Sequence, residues 1–192
     1  MGASKDDAQT TRQRLLEAAL QVLREEGSGK LTLDQIARTA GVSKGGLLHH
    51  FPSKDALYEA LISDMLRDFE ERVAHFYAAE PDTAGRLMRA YIRATFAETS
   101  SELPLPLEVG THLLATMVGQ PHLRALIAAD TLAWQERLLN DGLPAGRVLV
   151  IRQATDGYWT ERWLGIVNDP TTHNALIEEL LALTTGETPD AE

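Results

Sequence analysis

The sequence predicts an all-α protein of about nine helices and no sheet, and three features of its 192 residues lead to this fold class. Apolar residues recur at helical spacing along most of the chain. No stretch alternates between apolar and polar residues as a half-buried strand would. Proline, glycine and capping residues interrupt the helical pattern at intervals typical of helix ends.

The first helix is preceded by residues 1–9, which are polar and uncapped and are therefore expected to be disordered. Leu15, Ala19 and Val22 then share one face, as the core-facing residues of a helix do, and Gly27 supplies a stop signal.

Three capping residues predict the next three helices. Thr32, with Gln35 three residues later, forms a capping-box pattern for a helix that ends near residues 40–41. Ser43 caps a short helix that reaches His50, and Ser53 caps a long one over residues 54–79.

Five more helices are predicted after the break at residues 80–82. They should run over about 87–96, from Pro104 and Pro106 to Val118, over 121–140, from after Pro144 through Val167, and from Pro170 to Thr184. The tail over residues 186–192 is short and acidic, and we expect it to be disordered.

Composition excludes several classes of protein. With no Cys, the chain has no disulfide framework, thiolate zinc site or cysteine nucleophile. No apolar run approaches the roughly 20 residues of a membrane span, and no signal-peptide pattern follows the polar start. We therefore expect a soluble, cytoplasmic protein with no membrane partner.

The formal net charge of -10 is unevenly distributed. Residues 1–56 hold 8 Lys and Arg against 7 Asp and Glu, and they include every lysine of the chain. The remaining residues hold 10 basic against 21 acidic groups, so the acidic surplus belongs to the C-terminal part. The overall charge therefore does not exclude a nucleic-acid partner for the N-terminal part.

Residues 33–52 have the pattern of a helix-turn-helix. A small residue, Ala37, stands where the two helices approach closely, and Gly41 supplies the positive φ of the turn. Ile36, Val42 and Leu47 are spaced to anchor both helices to a core. The alternative is two short packed helices that do not bind DNA.

Residues 11–62 resemble the N-terminal domain of the TetR family of one-component transcriptional regulators. The resemblance is closest at residues 31–32 and 41–45, and it continues through 49–54 and 56–58. It implies a homodimer that binds a palindromic double-stranded DNA operator and carries a C-terminal domain for a small-molecule effector. The resemblance also implies a DNA-binding domain over residues 10–56 and a ligand-binding and dimerisation domain over 57–185.

The candidate DNA-binding residues are polar, basic or small, and they lie in or beside the predicted recognition helix. They are Thr32, Ser43, Lys44, Gly45, Gly46, Leu48, His49, His50 and Lys54. Lys44 is the best candidate for a guanine or phosphate contact, and Ser43 and Thr32 stand at helix N-termini suited to phosphate. Where the family often has Thr and Tyr, this chain has Gly46 and Leu48, so the operator sequence cannot be inferred from relatives.

The candidate ligand-binding residues are aromatic, sulfur-containing or histidine side chains of the middle helices. They are Met88, Tyr91, Phe96, His112, Met117 and Trp134, and they would suit an apolar effector that is aromatic or cationic. The alternative is that these residues are ordinary core.

The candidate dimer-interface residues lie on apolar stripes of the last two helices. They are Ile151, Thr155, Tyr158, Trp159, Leu176 and Leu180, and the alternative is burial within one subunit.

No catalytic triad, phosphate loop or HExxH pattern occurs, so we predict no enzyme, no catalytic residue and no cofactor. Glu108 and His112, with His122 or His173, are a weak alternative for a metal site, and we predict no metal. We expect a repressor that an effector releases from its operator. The alternatives are an activator of the same family and an all-α enzyme or ligand carrier with an incidental helix-turn-helix.

Overall fold

The structure is a computed structural model that describes residues 5–26, 31–97, 115–116, 118–164, 166 and 170–185. Its helices are α1 (Lys5–Glu26), α2 (Leu33–Thr39), α3 (Lys44–His50), α4 (Lys54–Ala79), α5 (Arg86–Phe96), α6 (Pro121–Leu139), α7 (Ala145–Trp163) and α8 (Pro170–Ala182). No strand occurs in these ranges, and the all-α prediction is confirmed. The helix predicted from Pro104 to Val118 lies almost entirely outside the described residues.

The capping residues determine where α2, α3 and α4 begin, as the sequence predicts. The hydroxyl oxygens of Thr32, Ser43 and Ser53 each accept a hydrogen bond from the backbone N–H three residues later, at 3.0 to 3.2 Å. Helix α4 spans the predicted residues 54–79 and ends before the Glu80-Pro81 pair.

Two helix ends differ from the prediction. Helix α1 begins at Lys5, so the expectation of disorder is wrong for residues 5–9. Helix α7 ends at Trp163 rather than near Val167.

The helices enclose two hydrophobic cores. The first is built by α1, α2, α3 and the first part of α4, and it includes Leu16, Ile36, Leu47 and Leu57. The second is built by the rest of α4 with α5, α6, α7 and α8. Because α4 residues 57–62 lie in the first core, that core extends beyond the predicted domain boundary at residue 56.

A buried ion-pair cluster fixes the connection between α4 and α5. Glu80 follows the last residue of α4, and its carboxylate accepts from Arg89 Nε at 2.9 Å and from Arg93 Nε. Arg89 also donates to the carbonyls of Pro81 and Ala84 and to the Thr83 hydroxyl, at 2.9 to 3.0 Å. A single guanidinium therefore holds the whole loop against α5.

The N-terminus of α5 is capped by a residue that is distant in sequence. Its N-cap position is Gly85, with φ +79°, which has no side chain to accept a hydrogen bond. Asp141, in the loop between α6 and α7, accepts from the backbone N–H of Met88 at 2.8 Å instead. This contact fixes the α6–α7 loop to the start of α5.

Asp141→Ala should lower the free energy of unfolding by about 1 kcal/mol, the usual effect of losing a helix cap. Asp141→Asn retains an oxygen acceptor and is the matched control, with an expected change of a few tenths of a kcal/mol at most. Urea unfolding of both variants measures the difference. Equal stabilities of the two variants would contradict the capping role.

Candidate nucleic-acid interface

Helices α2 and α3 form a helix-turn-helix whose turn is fixed on both sides. Gly41 has φ +67°, the left-handed conformation that the sequence predicts. The backbone N–H of Val42 donates to the carbonyl of Ala37 at 2.9 Å. From α1, Arg14 Nη2 donates to the carbonyl of Ala40 at 2.6 Å, so the end of α2 is held against the first helix.

Helix α3 is anchored by one face and exposed on the other. Leu47 is fully buried in the first core, which fixes the rotation of the helix. Lys44, Gly45, Leu48 and His49 are exposed, so four candidate DNA-binding residues lie away from the core. A short helix with one buried and one polar, exposed face is the form that enters a major groove.

Lys44, the first residue of α3, forms an ion pair with Asp34 of α2. Its Nζ lies 3.0 Å from Asp34 Oδ2, and the two side chains are 59% and 61% exposed. Exposed pairs of this kind contribute about 0–1 kcal/mol, so Lys44 can exchange Asp34 for another acceptor at little cost. Asp34 is not among the predicted site residues, because pairing across the turn is not visible in local sequence spacing.

The other candidate DNA-binding residues occupy different positions around α3. Thr32 and Lys54 are exposed at the N-terminal ends of α2 and α4, and the Lys54 ammonium lies 5.6 Å from the centre of the Tyr58 ring. Gly46 is partly covered in the first turn of α3. His50 is partly buried and lines a groove of about 190 Å³ with Arg12, Phe51 and Glu59. Its ring meets that of the exposed His49 edge to face, with centres 5.5 Å apart.

Four of the candidate ligand-binding residues lie in the second core: Met88, Tyr91, Phe96 and Trp134. Phe69, which is not among the predicted residues, completes an aromatic cluster with two of them. The ring centres of Phe69, Tyr91 and Trp134 are 5.2 to 5.6 Å apart, and each pair meets edge to face. His112 and Met117 lie outside the described residues.

A polar network adjoins this aromatic cluster. The Tyr91 hydroxyl donates to Asp156 Oδ1 at 2.7 Å, and Arg152 Nη1, on a side chain that is almost fully buried, donates to Gln135 Oε1 at 3.0 Å. Burial and the nearby Asp156 carboxylate raise the pKa of Tyr91 far above its usual range, so the hydroxyl stays protonated. Burial, together with the nearby Glu70 carboxylate, also raises the pKa of Asp130.

Within the single chain, the candidate dimer-interface residues are turned inward, and their role in a dimer stays a prediction. Ile151 and Thr155 have 0% of their surface exposed within the single chain, and Leu180 is almost fully buried. The Tyr158 ring stacks on Phe96 with centres 4.3 Å apart. Trp159 and Leu176 are partly buried against the first and second cores, respectively. These six residues pack within their own subunit because the apolar stripes of α7 and α8 cover the two cores.

The exposed face of α7 carries a different set of residues. Val150 is 61% exposed, and Gly146, Gln153, Gly157 and Thr160 follow the same helical row at spacings of three and four residues. A Cβ placed on Gly146 or Gly157 would meet no atom within 4 Å. This row, which we call the α7 outer face, is defined by these five residues.

Two other kinds of feature, a metal site and a membrane span, do not occur in the described part of the chain. No group of three or more His, Asp or Glu residues there is arranged to hold a metal ion. Of the alternative metal ligands, Glu108 and His112 lie outside the described residues. No helix in the same part is long and apolar enough to cross a membrane.

Two family models match the sequence. Residues 15–61 match that of the bacterial regulatory proteins of the tetR family, and residues 85–185 match the Tetracyclin repressor-like C-terminal domain. The chain is 30% identical over 149 residues to the HTH-type transcriptional regulator BetI of Burkholderia thailandensis, in an alignment that covers 76% of this chain and 74% of that protein. It is 36% identical over 89 residues to BetI of Klebsiella pneumoniae, covering 46% of each chain.

Solved structures share the fold. A TetR-family transcriptional regulator from Streptomyces coelicolor superposes with a TM-score of 0.70 over 96% of each chain, at 20% identity. The multidrug binding protein EbrR, complexed with malachite green, superposes with a TM-score of 0.63 over 90% of this chain and 97% of its own, at 24% identity.

Proposed function

The chain belongs to the TetR family of transcriptional regulators, and from that premise we propose that it is a repressor. A homodimer binds a palindromic operator through α2 and α3, and a small effector bound in the second core releases it. The observation that carries this proposal is the exposed face of α3, with Lys44 at its N-terminus and Leu47 anchored beneath it.

Charge supports the assignment of the DNA-binding surface to this end of the molecule. Residues 1–56 hold every lysine and carry a net charge near zero, whereas the rest of the chain is strongly acidic. A strongly acidic body disfavours contact with DNA through that part of the molecule. Thr32, Ser43 and Lys54 stand beside α3 at helix N-termini, where they are suited to phosphate oxygens.

We propose that the α7 outer face forms the dimer interface, together with the exposed face of α8. On α8, Thr171, Ala175, Glu178 and Ala182 are exposed at the same spacing of three and four residues. Small residues on both helices allow the helices of two subunits to approach closely. Dimerisation would set the two copies of α3 about 34–36 Å apart, which is one turn of DNA.

The proposed effector site lies among Met88, Tyr91, Phe96 and Trp134, with Phe69 added. EbrR binds malachite green, an aromatic cation, which supports an effector of similar character here. Aromatic faces attract cations, and the Arg137 guanidinium already lies 4.1 Å from the centre of the Trp134 ring. Titration with malachite green, followed by tryptophan fluorescence, tests this site. Trp134→Phe is the control variant, because it removes the tryptophan that would contact the ligand.

Lys44→Ala should weaken operator binding by about 1–3 kcal/mol, or roughly 5- to 150-fold, because it removes the one lysine of the recognition helix. Fluorescence anisotropy with an operator duplex at several salt concentrations measures the change. A phosphate contact would also reduce the salt slope by about one, whereas a base contact would relax specificity at one position.

Asp34→Asn is the matched variant, and its expected effect on operator affinity is opposite to that of Lys44→Ala. It releases Lys44 from its ion pair and removes a negative charge beside the DNA, so operator affinity should rise. Unchanged affinity in both variants would place the DNA elsewhere and contradict the proposed interface.

A further inference from the structure

The exposed face of α3 carries one large apolar side chain, that of Leu48, which is 38% exposed. Within residues 31–76, all of which the structure describes, no other large apolar residue is exposed. The neighbouring Leu47 is fully buried in the first core, so Leu48 cannot turn inward unless Leu47 leaves that core. Leu48 has no polar side-chain atom and therefore cannot donate to phosphate oxygens or to base edges.

The major groove offers such a side chain one kind of apolar partner. Base edges there present hydrogen-bond donors and acceptors, and the C5-methyl group of thymine is the apolar exception. The modified base 5-methylcytosine carries a methyl group at the same ring position. Lys44 and Leu48 lie on the same side of α3, about 6 Å apart along its axis at about 1.5 Å per residue. Base pairs are about 3.4 Å apart, so the two residues reach groups within about two base pairs of each other.

Gly45 adds an independent observation on the same face. It is exposed beside Lys44, and a Cβ placed on it would meet only Ser43 Oγ, at an ordinary distance of 4.0 Å. The fold therefore does not require glycine there, although glycine disfavours a helix relative to alanine. A residue without a side chain lets the backbone approach a ligand closely. Gly45 thus allows α3 to sit deep in the groove, where Leu48 reaches the base edges.

We propose that Leu48 is a specificity-determining residue that packs against the C5-methyl group of one pyrimidine in each half-site of the operator. This inference rests on the proposed function, because it requires α3 to enter the major groove. The methyl group belongs to thymine or to 5-methylcytosine. At this position the protein distinguishes a methylated pyrimidine from an unmethylated one, which Lys44 cannot do through hydrogen bonds.

The experiment uses the full-length protein and a duplex that it selects from a randomised pool. Each thymine is replaced in turn by deoxyuridine, which removes the methyl group and keeps the base pair. At one position of each half-site, this replacement should weaken binding about 4-fold, the factor that corresponds to the burial of one methyl group. Fluorescence anisotropy measures the affinities at a fixed salt concentration.

Leu48→Ala should bind the thymine and deoxyuridine duplexes with equal affinity, because the side chain that contacts the methyl group is gone. Its fold should be retained, since residue 48 is exposed and alanine favours a helix. Leu48→Met keeps a flexible apolar side chain and should still prefer thymine. Leu132→Ala is the matched control, because this leucine is 63% exposed on α6, and it should keep the full 4-fold preference.

A second set of duplexes distinguishes the two sources of the methyl group. The sensitive base pair is replaced by a cytosine–guanine pair, with and without a methyl group at C5 of the cytosine. A gain of about 4-fold on methylation, absent in Leu48→Ala, supports recognition of both bases. Sensitivity to deoxyuridine with no gain on cytosine methylation supports thymine alone.

Two outcomes would overturn the role of Leu48. One is that no methyl group, on thymine or on cytosine, changes the affinity of the unaltered protein. The other is that Leu48→Ala keeps the full preference for the methylated base. Failure of the unaltered protein to select any duplex is a distinct result, and it would overturn the proposed function itself.

Discussion

Gly157→Arg is expected to convert the dimer into monomers and to weaken operator binding by about 10²–10⁴-fold. Once the DNA-binding domain of one subunit is bound, binding of the other subunit to the second half-site becomes intramolecular and occurs at a high effective concentration. A monomer lacks this advantage. Gly157 lies in the middle of the α7 outer face, where an arginine from each subunit would separate the helices and bring like charges together.

The fold of the subunit should tolerate this change. A Cβ on Gly157 meets nothing within 4 Å, and arginine is a better helix former than glycine by nearly 1 kcal/mol. Loss of the dimer therefore cannot be attributed to unfolding, which circular dichroism checks. Gly157→Ala is the matched control and should stay dimeric. If Gly157→Arg sediments as a dimer, the dimer interface does not lie on the α7 outer face.

Arg89→Met should destabilise the protein by about 3–5 kcal/mol, the usual effect of breaking a buried ion pair by removing one partner. The change removes the bond to Glu80 and the donor to the Ala84 carbonyl, and it leaves the Pro81 carbonyl with the backbone N–H of Thr83 alone. Arg93 still pairs with Glu80, but it is bonded to neither carbonyl. Chemical denaturation of the full-length dimer measures the loss at a fixed protein concentration.

Lys44→Ala serves as the control for this measurement, because its ion pair with Asp34 is exposed and contributes about 0–1 kcal/mol. The two variants should behave in opposite ways. Arg89→Met loses stability, whereas Lys44→Ala loses DNA affinity and keeps its stability. A loss of less than about 1 kcal/mol in Arg89→Met would mean that the α4–α5 loop does not depend on this cluster.

Local signals in the sequence predicted the helix-turn-helix and α4 closely. Thr32, Ser43 and Ser53 are caps that act within three residues of their own position, so spacing alone locates the helix starts. Gly41 was identifiable because few other residues adopt the positive φ that the turn requires.

Contacts distant in sequence could not be read in this way. Asp141 caps α5 from 53 residues beyond Met88, and Leu123 reaches the first core from outside the helix-turn-helix region. Amphipathic spacing on α7 indicated an apolar face with Ile151 and Thr155. It could not show whether that face meets the same chain or a second copy. One signal in the sequence could have indicated the α7 outer face as an interface. Gly146, Val150 and Gly157, which are small or apolar, recur at helical spacing on the side opposite Ile151 and Thr155.

The most direct test of the central claim is a hydroxyl-radical footprint of the dimer on duplexes that it selects from a randomised pool. We expect an inverted repeat with two protected half-sites whose centres are about 10 base pairs, or a multiple of this, apart. Lys44→Ala should lose protection of both half-sites together. Selection of no common sequence, or protection of a single half-site by a stable dimer, would contradict the account.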